Sequence, residues 1–196
     1  MHISVPVCVW RPCACSHACL PWHHAASCGG QAQQHIGRVE RAGEQLKELY
    51  GPLLACVTAS KSAYDAMVRQ VGGPGTDGKS FRAAVRADEN SPEAVAYRTW
   101  VEEVLLPLSD RAARLVVERA DLLEGSSIEP LLLQLVAHVS AYKVILRQWR
   151  EGSKGERSAI PYPDEVHAWV QDHFHRLKQR QAKLLGIPVD SFTSKL

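Results

Sequence analysis

From about residue 32 onward, hydrophobic positions recur at spacings of three and four, the period of a helix buried along one face. Over residues 33–71 the set Val39, Ala42, Leu46, Leu49, Leu53, Val57, Tyr64, Met67 and Val71 forms one stripe. Gly51-Pro52 falls inside it. Proline removes a backbone donor and collides with the preceding turn, so a kink or break is expected there. GGPGTDG, residues 72–78, reads as a glycine-rich loop, and 79–90 are assigned no element. Ser91 caps the next helix, with Pro92 at its first position and Glu93 in its first turn. Its stripe is Trp100, Val104, Leu105, Leu108, Ala112, Leu115, Val116 and Leu122, with a second kink expected at Pro107. Gly125-Ser126-Ser127 ends that helix, and Ser127 is the expected cap of Ile128 to Trp149, whose apolar content predicts the centre of the core. After the polar loop EGSKGERS, Pro163 opens a last helix that Gly186 and Pro188 close. Its face is Val166, Trp169, Val170, His173, Phe174, Leu177, Gln181, Leu184 and Leu185. No segment alternates with period two. The pattern predicts an all-α fold, an antiparallel bundle of four long helices, some kinked at proline.

Composition changes this picture little. The 45% hydrophobic and 22% charged residues of the 196 are those of a globular chain with a sizeable core. Lys and Arg number 23 against 21 Asp and Glu, so the net charge of +2 selects no class of partner, and nucleic acid is not expected. No apolar run is long enough to span a membrane. A soluble protein is expected.

The first 31 residues stand apart. Arg11 is their one charged side chain, and Pro6, Pro12 and Pro21 punctuate them. Arg11-Pro12 breaks the apolar stretch that a secretory signal needs, and one arginine is too few for a transit peptide. Cys13, Cys15, Cys19, His23, His24 and Cys28 are residues that suit zinc. Their spacings include no Cys-x2-Cys knuckle, so 1–31 reads as a disordered or cleavable leader, ahead of a helical domain over 32–186 and an exposed tail over 187–196. With cysteines crowded into the leader, the helical domain reads as reduced and intracellular.

The stretches LYGPLLA (49–55), WVEEVLLPL (100–108), ADLLEG (120–125), LLLQLVAHVSAYKVILRQW (131–149) and FHRLKQRQAKLLG (174–186) resemble a family of uncharacterised helical proteins from bacteria. The resemblance covers roughly residues 38–186. It implies an all-helical fold and no particular activity.

Chemistry-bearing residues are sparse. The paired Glu-x-x-His of dinuclear bundle sites is missing, and Asp172-His173-Phe174-His175 offers one Asp-x-x-His. His138 and Tyr142 are four apart on one helical face, where an imidazole and a phenol can serve acid–base chemistry in a polar pocket. The plainer expectation is that His138 bonds Glu102 or Glu103 while Lys143 reaches solvent. Cys56 lies on an apolar stripe and reads as core. Arg176, Arg180 and Lys183 share a face of the last helix, which reads either as a phosphate contact or as a solvated outer face. The closing Ser194-Lys195-Leu196 matches a peroxisomal address read by an import receptor. No nucleotide loop, nucleophile motif or cofactor signature is present, so no cofactor is expected. The leading expectation is a non-enzymatic helical interaction module, cytoplasmic or peroxisomal, that self-associates or binds a protein partner. The alternative is a small-ligand or metal-dependent bundle enzyme with its pocket near His138 and Tyr142.

Overall fold

The computed structural model describes residues 22–188, with side chains described from Gly30. The described residues form helices and loops, with no strand among them. The helices are α1 (Trp22–Glu44), α2 (Gly51–Gly72), α3 (Gly78–Ala87), α4 (Pro92–Trp100), α5 (Leu106–Glu118), α6 (Pro130–Arg150) and α7 (Val166–Leu184). None is long and apolar enough to cross a membrane. The chain divides into two units, Met1–Ile36 and Gly37–Leu196, and the packing that follows is that of the second.

Both interior prolines are met by one device. A π-helical turn, Gln45–Tyr50, joins α1 to α2, and another, Val101–Leu105, joins α4 to α5. The residue just before each proline donates to the carbonyl five positions back, Gly51 to Leu46 and Leu106 to Val101. Widening the turn carries the preceding carbonyls away from the proline ring, so the helix continues without the donor that proline lacks. At the first turn this needs glycine, because a Cβ on Gly51 would lie 2.6 Å from the Leu46 carbonyl oxygen.

The extra residue shifts the buried face. A regular helix would bury Trp100, Val104, Leu105 and Leu108, but the structure buries Val101, Leu106 and Ser109 instead. Val101 and Leu106 are five apart, the spacing of a π-turn. Beyond it Ala112, Ala113 and Val116 restore the ordinary period.

The first π-turn, α2 and α6 supply the core together. Leu49, Tyr50 and Leu53 are wholly buried, and α2 touches α3, α4, α5 and α7. Helix α6 packs on α5 and α7, adds Leu132, Leu135, Val139, Ile145, Leu146 and Trp149 to the same core, and leaves Leu133 and Val144 half exposed. Met67, Val68, Phe81, Val85 and Ala94 form a second cluster among α2, α3 and α4.

Caps set the helix ends. Ser91 accepts from the Ala94 amide at 3.1 Å, as expected. Ser127 does not cap α6; Glu129 holds the cap position and Pro130 opens the helix. Gly186, with φ of +68°, ends α7 in the left-handed conformation glycine permits. Helix α3, unexpected from the periodicity, is capped by Asp77, whose carboxylate accepts from the Ser80 amide at 2.7 Å.

Candidate functional site

A cleft of about 780 Å³ opens among α2, α3, α4, the Val101–Leu105 turn, α6 and the segment 157–167. Helix α2 lines it with Ser60, Lys61, Tyr64 and Asp65, and α3 with Arg82, Val85 and Arg86. Both sets follow helical spacing, so each helix turns one face to the core and an adjoining one to the cleft.

Two tyrosines meet there. Tyr97 from α4 and Tyr142 from α6 place their hydroxyls 2.8 Å apart. Burial, and then the neighbouring Tyr142, push the Tyr97 phenol well above its ordinary value. Tyr162 stands on the loop before α7, its phenol pushed up to about 12 by burial and by Asp164. Trp149 backs the pair, edge-on to both Tyr97 and Tyr142.

His138 lies on the cleft wall with Tyr142, as their spacing suggested, the two rings 4.6 Å apart. Its expected acid is absent. Nδ1 donates to the Ile160 carbonyl at 2.8 Å, while Glu102 pairs with Arg150 at 2.6 Å and Lys143 with Asp110 at 2.7 Å. Burial lowers the His138 pKa, opposed by the bond to Ile160. A neutral imidazole that donates from Nδ1 keeps its lone pair on Nε2, so His138 is an acceptor of defined tautomer. On the α7 side the lining residue His167 meets Thr58, Oγ1 to Nε2 3.2 Å.

The segment after α6 is held along the cleft by its own bonds. Trp149 Nε1 donates to the Glu156 carbonyl at 3.0 Å, and Arg157 Nη2 donates to the Val85 carbonyl at 3.0 Å. The loop thus runs from the end of α3 to His138. Sequence reasoning missed α3, Arg82, Arg86 and Arg157; Asp77 followed by Phe81 and Val85 was the available signal.

The remaining candidates lie elsewhere. Cys13, Cys15 and Cys19 and the tail Ser194, Lys195 and Leu196 fall outside the described residues. His23 and Cys28 lie on α1, where side chains are not described. Among the described residues no group of three His, Cys, Asp or Glu converges on a point where a metal ion could sit. Cys56 is buried core with its thiol pKa raised by burial. On α7, Arg176 pairs with Asp172 at 2.8 Å and Arg180 with Glu124 at 3.1 Å, which neutralises much of the basic face. His173 is stacked on Trp169 at 3.7 Å rather than free to act.

No protein-family model matches the chain, and neither a curated protein nor a solved structure does. The resemblance drawn from the sequence therefore rests on its quoted residues alone.

Proposed function

We infer that the chain is a helical domain that binds a small molecule in the cleft beside the Val101–Leu105 turn. One observation carries this reading: an open cleft of ligand size whose wall holds His138, Tyr142 and Tyr97 together. The sequence left two alternatives, a partner-binding module and a small-ligand site near His138 and Tyr142, and the cleft supports the second. His138 and Tyr142 are the groups that acid–base chemistry there would use.

The framework suits a bundle of α2, α5, α6 and α7, since each touches the next around a ring: α2 on α5, α5 on α6, α6 on α7 and α7 on α2. Antiparallel order is supported by paired contacts. Glu102 meets Arg150 and Asp110 meets Lys143, while Tyr50 stacks on His173 and Thr58 reaches His167.

The test uses aromatic fragments, with phenol as the first probe, followed by amide and tyrosine NMR on the full chain. Shifts should concentrate at Tyr64, Tyr97, His138 and Tyr142. Lys61→Trp, at an exposed position on the cleft edge, should block them. Shifts scattered over the surface, or unchanged in K61W, would overturn the assignment.

A further inference from the structure

The cleft is unevenly charged. Lys61, Arg82, Arg86 and Arg157 border it against two carboxylates, Asp65 and Asp164. Asp65 is spent on Lys61, Oδ2 to Nζ 2.7 Å. No ion pair reaches the three arginines among the described residues.

Their placement is specific. Phe81 and Val85 bury one face of α3, and Arg82 and Arg86, one position later in each turn, put two guanidiniums one turn apart on the cleft side. Like charges at that spacing repel, and the Asp77 carboxylate at the start of α3 offsets Arg82 only in part, without an ion pair. Arg82 is also aimed: its Nη1 donates to the Tyr64 hydroxyl at 3.1 Å, and that hydroxyl donates to the Gly78 carbonyl at 3.4 Å. Arg157 is fixed by carbonyls, those of Val85, Lys154, Gly155 and Glu156, at 3.0 to 3.2 Å. Most of its donors are used, but its charge stays beside the end of α3.

We propose that Arg82 and Arg86 form an anion subsite, reinforced by the charge of Arg157, for the phosphate group of a small molecule whose aromatic body lies against Tyr64, Tyr97 and Tyr142. The proposal rests on the reading of the cleft as a ligand site. Two forked guanidiniums and a third positive charge suit a group carrying nearly two negative charges and three acceptor oxygens better than a singly charged carboxylate. Apolar lining from Val57, Val85 and Leu105, next to the tyrosine rings, gives the uncharged part of the ligand a surface to cover. A merely solvated helix face would hold a phosphate ester no better than other exposed arginines of the chain do.

The experiment compares phenyl phosphate with phenol by calorimetry and NMR on the full chain, its R82Q/R86Q variant and an R69Q/R111Q control. The control carries the same charge change outside the cleft. All four arginines are exposed, so both variants should fold. Phenyl phosphate should bind more tightly than phenol, weaken as salt rises, and lose about tenfold or more in affinity in R82Q/R86Q. R69Q/R111Q should bind it as the parent does. If both probes bind equally, or R82Q/R86Q keeps the parent affinity, the anion subsite is wrong while the cleft stands. If neither probe binds or moves His138 and Tyr142, the subsite and the ligand-site reading fall together.

Discussion

The two π-turns share a backbone and differ in what surrounds it. At Gln45–Tyr50 the widened turn is sealed. Gln45 is buried and donates to the Leu122 carbonyl at 2.8 Å, and the Tyr50 hydroxyl accepts from the Glu124 amide at 3.3 Å. The Tyr50 ring stacks on His173, 5.9 Å between centroids. At Val101–Leu105 the one side-chain bridge among the described residues is exposed. Glu102 turns outward to Arg150, Leu105 is half buried, and the turn borders the cleft. A π-turn leaves a widened groove in the helix surface. Whether that groove becomes an anchor or a cavity depends on whether long polar side chains stand there to fill it.

The largest test changes the residues that precede the two prolines. Gly51→Leu gives the first turn the residue of the second, but its Cβ would meet the Leu46 carbonyl at 2.6 Å, a backbone atom held in the core. We expect a loss of about 3 kcal/mol or more in urea unfolding, as for severe overpacking. Leu106→Ala at the second turn should cost about 2–3 kcal/mol through lost burial alone. A Gly51→Leu protein within about 1 kcal/mol of the parent would show that the first turn is not locked.

The seal itself is tested by Gln45→Leu. This removes the donor to the buried Leu122 carbonyl, and an orphaned buried acceptor costs about 1–3 kcal/mol. The added apolar contact offsets part of that, so a loss near 1–2 kcal/mol is expected. Equal stability would mean that Leu122 finds another donor and that packing alone closes the turn.

These two turns also mark where the sequence was legible. Helical period, Ser91, Gly186 and the two prolines were readable because each acts through its nearest neighbours. The register shift was not, since the kink expected at Pro107 does not say that an added residue will bury Val101 and Leu106 in place of Val104 and Leu108. His138 and Tyr142 could be put on one face by spacing. Their partners could not, because Ile160 and Tyr97 come from distant segments. Helix α3 has two buried apolar residues in ten, too few for a period to stand out beside a glycine loop.

Acid titration separates the two regions by a smaller margin. Burial lowers the folded-state pKa of His138 below its ordinary value of about 6.5. Between those two values the unfolded chain binds more protons, so stability rises with pH there and falls on acidification through the ordinary value. His138→Asn keeps a donor for Ile160 and does not titrate. It should flatten the pH dependence between about 7 and 5, by less than the 1.4 kcal/mol per pH unit that one proton allows. Gln45→Leu, at the other turn, should leave that slope unchanged. An unaltered slope in His138→Asn would mean that the bond to Ile160 offsets the burial of His138 in full.

The finest distinction comes from the prolines. Replacing either by alanine restores a backbone donor and removes the clash that favours the π-turn, with a stability change of about 1 kcal/mol or less. Pro52→Ala should leave its turn in place, because the bonds from Gln45 and to Tyr50 hold the wide geometry by themselves. At Pro107→Ala only the exposed pair of Glu102 with Arg150 resists it among the described residues. The turn should relax toward an ordinary helix and rotate Val101 and Leu105 relative to Tyr97. Amide and tyrosine spectra should therefore move at Tyr97 and Tyr142 in Pro107→Ala and stay put in Pro52→Ala. If both variants kept their π-turns, proline would be an occupant of the widened turn and not its cause. The groove beside the cleft would then owe its shape to the packing of Val101 and Leu106.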